Sequence, residues 1–404
     1  MQVKENVHTE TNRPPEKWVR ISQERQGARL IYLDSSATTP VCPAAAQALT
    51  QVLTEDFGNP SSRHFLGVSA KQRLDADRAV IATKLGCEKE EVFFTSGGTE
   101  ANNLAVFGAV EAAKKYRNKK RIVVGATEHA SVYESAKKLE SVGYEVVWLQ
   151  PDRYGNITPA QLAEAIDENT VLVSMMLVNN ELGSILPAQA VKGIIKLKNA
   201  PALFHCDCVQ AFCKLPFTVK SIGADLVSVS AHKVFGPKGI GALYVKKGVR
   251  ILPQHIGGEQ EMRIRPGTQA TALIAGFAAA VNDFDTKAYA AEVKKIRDYA
   301  KQALSGIEGV VFNSDEKASA YILNFSLVGF RSEIILNYLS ERHICVSAGS
   351  ACAGGKPSHV LQAITQDVAV RDSAIRLSFT HHNTVEEIDT LVTSLQNAVN
   401  TLAH

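Results

Sequence analysis

Between residues 91 and 230 the chain repeats one pattern. A short run rich in Val, Ile and Leu is followed by a turn of small or polar residues, then by apolar residues at helical spacing. The runs are 91–95, 121–125, 145–149, 170–177, 202–207 and 224–230, and each reads as a strand. Helices are predicted between them, over 99–116, up to about 141, over 159–167 and over 188–198. Neighbouring strands joined by crossover helices run parallel, so the pattern requires an α/β fold with a mostly parallel sheet covered on both faces. Ligands of such sheets bind in the crevice beyond the carboxyl ends of the strands. The residues just past those ends are Thr95 to Thr99, His129, Asn180, Asp207 and Lys233, which makes them one candidate site.

Lys233 follows Ser230-Ala-His232 and leads into a turn with glycines at 236, 239 and 241. Most lysines sit in solvent, and a lysine beside a turn is ordinarily one of them. At the end of a buried strand, however, the amine is desolvated, gives up its proton more readily and can form a Schiff base. Ser96-Gly97-Gly98-Thr99-Glu100, between a strand and a helix, offers backbone N–H groups to a phosphate. It lacks the Gly-Lys-Ser/Thr of a Walker loop and the spacing of a dinucleotide fingerprint. Asp207 ends an apolar strand, where an unpaired carboxylate is costly; a protonated pyridine nitrogen would pair it. His129 suits stacking on a flat ring or moving protons. Cys352 lies among small residues, Ser350-Ala351 before it and Ala353-Gly354-Gly355 after it, a better setting for a reactive thiol than a packed core.

His205-Cys-Asp-Cys208 is not read as a metal site. Alternate strand residues point to opposite faces, and no second ligand pair has zinc-like spacing. Cys206, Cys208, Cys213 and Cys345 are expected to be packed strand residues. Seven cysteines, an odd count without regular spacing, argue for a reducing, cytoplasmic setting rather than a disulfide framework. A net charge of +3 gives no reason to expect nucleic acid or a membrane as a direct partner. No apolar run reaches membrane-span length, and the polar N-terminus does not read as a signal peptide.

A chain of 404 residues fits a large domain plus a smaller one. Residues 1–28 read as an extension without apolar periodicity. Residues 44–287 are assigned to the large domain, and 29–43 with 288–404 to a small α+β domain that carries the Cys352 loop. In the latter, helices are predicted over 289–306, 331–341 and 384–402, with strands at 310–313, 320–326 and 374–379.

Seven segments taken together resemble the cysteine desulfurases, which are fold-type I pyridoxal-phosphate enzymes of the class-V aminotransferase kind. They are Phe94-Thr-Ser-Gly-Gly-Thr-Glu100, Thr127-Glu-His129, Val178-Asn-Asn-Glu181, Asp207-Cys-Val-Gln210, Ser230-Ala-His-Lys233 with its glycine turn, Arg265-Pro-Gly-Thr268 and Ser347-Ala-Gly-Ser-Ala-Cys352. The likeness runs from about residue 30 to the end, and the cysteine loop is similar to that of the housekeeping and nitrogen-fixation subgroup. It implies a seven-stranded sheet in the large domain and pyridoxal 5'-phosphate carried on Lys233. It further implies His129 stacked on the ring and moving protons, Asp207 on the pyridine nitrogen, and Asn180 and Gln210 beside the phenolic oxygen. Gly98, Thr99, Ser230 and His232 would hold the phosphate, joined by Thr268 from the other subunit of a homodimer. Asn180 and Arg376 would hold the substrate, Arg376 by its carboxylate, and Cys352 would take the sulfur of L-cysteine as a persulfide, leaving L-alanine.

The resemblance also implies a protein sulfur acceptor serving iron–sulfur assembly, tRNA thiolation or DNA phosphorothioation, with selenocysteine lyase as the alternative activity. Three features depart from the family pattern: the N-terminal extension, Cys208 in place of a smaller residue, and a slightly short segment after Cys352.

Overall fold

The computed structural model describes residues 30–116, 119–348 and 358–402. Twelve strands occur among them. β1 (Ile31–Tyr32), β2 (Val92–Thr95), β3 (Arg121–Gly125), β4 (Glu145–Leu149), β5 (Thr170–Ser174) and β6 (Leu203–Asp207) come first. β7 (Leu226–Ser230), β8 (Gly241–Val245), β9 (Val310–Phe312), β10 (Ile322–Leu327), β11 (Ile344–Cys345) and β12 (Ala374–Ser378) complete the set. Seven form one sheet in the order β2-β8-β7-β6-β5-β3-β4. The run from β7 to β4 is parallel, and β8 is antiparallel to both of its neighbours, so β2 points the same way as β7.

Both faces of this sheet are covered, which is why its central strands are apolar throughout. Val92 and Phe94 of β2, Val123 of β3 and Val227 of β7 pack into a core on one face. Phe93, Ile122, Val124 and Leu226 pack on the other, against the helices Gly98–Ala113 and Ala130–Ser141. At the edge, β4 is buried only at Leu149. The order brings the carboxyl ends of β2, β3, β5, β6 and β7 to one edge, so Thr95, Gly125, Ser174, Asp207 and Ser230 share one rim.

Two smaller sheets follow. β12-β10-β9 is antiparallel and pairs Asn324 with Arg376, while β1 and β11 pair in parallel. The predicted helices recur with shifts at their ends, for example Gly98–Ala113, Thr286–Leu304, Ser332–Ser340 and Val385–Leu402. Local chemistry sets several of these limits. Phe65–Leu85 begins where the His64 ring accepts the Gly67 N–H, and it ends at Gly86 with φ 72°.

Two of the elements that the sequence expectation missed show why. β8 lies within the glycine turn's far side, and the helix Thr271–Asp283 has small apolar residues on nearly every side, so neither shows a clean period. The strand expected over 170–177 stops at Ser174.

Candidate active site

Beyond the rim lies a cavity of about 270 Å³. Gly98, Thr99, His129, Asn180, Asp207, Gln210, Ser230, His232 and Lys233 all line it, as the sequence led one to expect. Thr268 and Arg376 do not. Thr268 is exposed on the loop beyond Arg265, and Arg376 is buried against the Asn180 carbonyl. Cys352, with Gly349, Gly354 and Gly355, lies outside the described residues.

The Lys233 amine is held by backbone carbonyls, donating to Ser36 O at 2.6 Å and to Ala37 O at 2.7 Å. The turn after it is tight. Phe235 adopts φ 63°, its N–H donates to the Thr39 hydroxyl, and a Cβ on Gly236 would meet the Ala231 Cβ at 2.8 Å. The neighbouring His232 ring meets the Thr38 hydroxyl at 3.2 Å. Burial first, then the charges of Lys233, Lys238 and Lys214, push its pKa down to about 3, so it is a neutral imidazole at pH 7.

The opposite wall is a cradle for an anion. Gly97 has φ 153° and ψ −176°, a conformation only glycine adopts without strain, and it places the following N–H groups at the start of the helix Gly98–Ala113. A Cβ on Gly98 would come within 3.0 Å of Val209, and one on Gly241 would strike the Gly97 backbone at 2.8 Å. Beside this cradle the buried Ser230 hydroxyl has no protein partner among the described residues.

Asp207 is 4% exposed and its carboxylate is anchored twice. Oδ1 accepts the Val209 N–H at 2.9 Å, and Oδ2 accepts the Asn102 amide at 2.7 Å. Because a carboxylate only accepts, the Asn102 NH₂ must face it. That NH₂ also donates to the Ser131 hydroxyl at 2.8 Å, which in turn lies 2.8 Å from His129 Nδ1. The Ser131 backbone N–H donates to the same nitrogen at 3.2 Å. Nδ1 is therefore an acceptor, and a neutral His129 carries its proton on Nε2. Burial holds the His129 pKa below its ordinary value against the pull of Asp207, helped by Lys233 and His359.

Behind His129, Glu128 is fully buried with one oxygen on the Met176 N–H and the other unpartnered among the described residues. Burial, then repulsion from Asp207, raises its pKa to about 8, so it is mostly protonated at neutral pH. Gln210 donates to Ser36 O at 3.0 Å and accepts from Lys214 at 3.1 Å. Arg376 donates to the Asn180 carbonyl at 2.9 Å and pairs with Asp34 at 2.7 Å, while its Nε has no partner among the described residues.

The two ends of the segment that contains Cys352 are tied next to these groups. Ser347 pairs through its backbone with Arg376, and Ser358 donates to Glu181 at 2.6 Å.

Asn102, Ser131, Lys214 and the Ser36 and Ala37 carbonyls were not singled out in the sequence. Asn102 had one usable signal, its place one helical turn after Gly98; the carbonyls had none. Of the four cysteines expected to be packed strand residues, Cys206 is buried in β6, Cys208 and Cys213 are buried but lie in the turn after it, and Cys345 is in β11 and only half-buried. No group of metal-binding side chains occurs among the described residues.

Fold and site bring a strand-end lysine, a buried aspartate and a glycine cradle to one cavity, and the chain belongs to the class-V aminotransferase family, whose model matches residues 31–391. Members of this family depend on pyridoxal phosphate. Within it, the chain is a member of the cysteine desulfurase group. It is 40% identical over 371 residues to a NifS/IcsS protein homolog of Lactobacillus delbrueckii, covering 90% of this chain and 95% of that one. It is 39% identical over 383 residues to the cysteine desulfurase IscS of Shewanella woodyi, covering 92% and 93%. A solved NifS-like protein superposes with a TM-score of 0.86 at 33% identity, over 92% of this chain and 99% of that one.

Proposed function

We propose that this pyridoxal-phosphate enzyme takes sulfur from L-cysteine, releases L-alanine and passes the sulfur through Cys352 to a protein acceptor. The observation that carries the reading is the meeting, in one cavity, of the Lys233 amine, the doubly anchored Asp207 and the glycine cradle beside the unpartnered Ser230 hydroxyl.

The residues present fit the cofactor. Lys233 would hold it covalently, and Asp207 would face its pyridine nitrogen. The Gly97–Thr99 turn, Ser230 and His232 would take the phosphate, with Thr268 reaching it from the other subunit of a homodimer. Bound there, pyridoxal phosphate supplies an electron sink for negative charge at the substrate Cα. Asn180 and Gln210 would flank the ring, and the half-buried neutral His129 would stack on it and move protons at Nε2. The unpartnered Nε of Arg376 supports a role for that guanidinium in holding the substrate carboxylate.

Lys233 would accept the Cα proton. The Cys352 thiolate would then attack the substrate sulfur, so that an S–S bond forms as the Cβ–S bond breaks. The electron pair left on the substrate would be neutralised by a proton at Cβ, and Lys233 would return the proton it took to Cα, giving alanine.

Wild type and Cys352→Ala, incubated with ³⁵S-cysteine, test this. The variant should bind the cofactor normally, yet release no alanine and retain no labelled persulfide. Desulfuration by the variant at the wild-type rate would refute the role of Cys352. Activity retained on selenocysteine alone would favour the lyase.

A further inference from the structure

Lys214 has no part in the scheme above, yet it is 3% exposed and lies on the turn after β6, directly behind the site. Among the described residues no carboxylate pairs with it. Its ammonium donates to Gln210 Oε1 at 3.1 Å and stands 5.5 Å from the centre of the Tyr321 ring. An ammonium only donates, so Gln210 must turn its oxygen toward Lys214 and its NH₂ toward the cavity. That NH₂ donates to the Ser36 carbonyl, which also accepts the Lys233 amine. The buried Lys214 amine and the half-buried Lys233 amine are thus joined through one side-chain amide and one carbonyl.

We infer that Lys214 is a positioning residue for the cofactor lysine: it fixes the Gln210 amide and keeps a second cation behind Lys233, so that the Lys233 nitrogen gives up its proton more easily. This rests on the reading that Lys233 carries the cofactor. The charged and titratable groups around Lys214 are Lys233, Arg376, His232 and Cys213, with Tyr321 and His381 in the same packed region. None is a carboxylate. Burial, then Lys233, lower the Lys214 pKa to about 7, with Arg376 adding to the effect and Cys213 opposing it. Near pH 7 Lys214 is therefore about half protonated, and that positive charge stands next to the one lysine the proposed chemistry uses.

Three holoenzyme variants test the inference by the pH midpoint of the bound cofactor's absorbance. Lys214→Met removes donor and charge, Lys214→Gln keeps a donor but no charge, and Lys214→Arg keeps both. Loss of a positive charge that is about half present near pH 7 should raise the midpoint by roughly 0.5–1 pH unit. Met and Gln should show that rise, and Arg should return the midpoint to the wild-type value or somewhat below it. Borohydride reduction and peptide mapping of each protein locate the cofactor. Label on Lys233 with unchanged midpoints in Met and Gln overturns the role of Lys214 alone, as does an Arg variant shifted as far as Met. Label on another lysine overturns the Lys233 reading and this inference with it.

Discussion

His205 is a second buried group whose protonation has a measurable consequence, this time for stability. Its ring is wholly buried between neighbouring strands, with Nδ1 2.8 Å from the Ser174 hydroxyl of β5 and Nε2 3.0 Å from the Ser228 hydroxyl of β7. Burial lowers its pKa from the ordinary 6.5 to about 4, with Asp207 only partly opposing. A histidine whose folded pKa is depressed favours the native state fully above the unfolded value and loses that contribution as pH falls toward the folded one. At 1.36 kcal/mol per pH unit, the fall from 6.5 to about 4 is worth about 3 kcal/mol.

His205→Gln cannot titrate but keeps a donor and an acceptor. At pH 7 it should be less stable than wild type by about 1–2 kcal/mol, for imperfect hydrogen bonds and lost packing. At pH 4 the order should reverse by a similar amount, because only wild type then needs a proton on a buried ring. Urea unfolding of both holoenzymes at pH 7, 5.5 and 4, followed by circular dichroism, reads the difference. The other histidines with lowered pKa values, among them the half-buried His129, His232 and His381, are common to both proteins and cancel. A difference between the two proteins that stays constant with pH would refute the reasoning.

Two other outcomes follow from the site. Asn102→Ala removes a charge-assisted hydrogen bond to Asp207 and the link to Ser131, together worth about 2–4 kcal/mol. Cofactor affinity, measured by absorbance titration of the apoenzyme, should weaken at least tenfold, and Asn102→Asp should be worse because it sets a second carboxylate against the first; unchanged affinity would mean that Asp207 needs no such anchor. Mixing inactive Lys233→Ala with inactive Thr268→Ala subunits should restore one working site per heterodimer; no recovery, with subunit exchange demonstrated by mass spectrometry, would count against a site shared between subunits.

The alternation of apolar runs and helical periods determined the α/β class, and with it the edge of the sheet where the site lies. Each parallel strand must end on the same rim, so residues placed just after separate strands meet without any knowledge of loop conformation. Gly98, His129, Asp207 and Lys233 were legible for that reason: each marks a strand end with a residue type that is costly or unusual there. Cys352 stood out by its small-residue surroundings, but where its thiol reaches is a question of loop conformation that periodicity does not address.

Tertiary structure alone decided the partners. Nothing in Asn102 or Ser131 taken singly says that they join Asp207 to His129, because that link spans 105 residues on one side and 29 on the other. The carbonyls that hold Lys233 belong to Ser36 and Ala37, 197 and 196 residues away, and a backbone oxygen carries no sequence signature. Nothing in the sequence singles out Lys214. It becomes a buried cation only because the turn after β6 folds beneath the cavity, where Gln210 rather than a carboxylate receives it. Local patterns specify which element a residue occupies, whereas a hydrogen bond between distant elements depends on how those elements pack, and packing is a property of the whole chain.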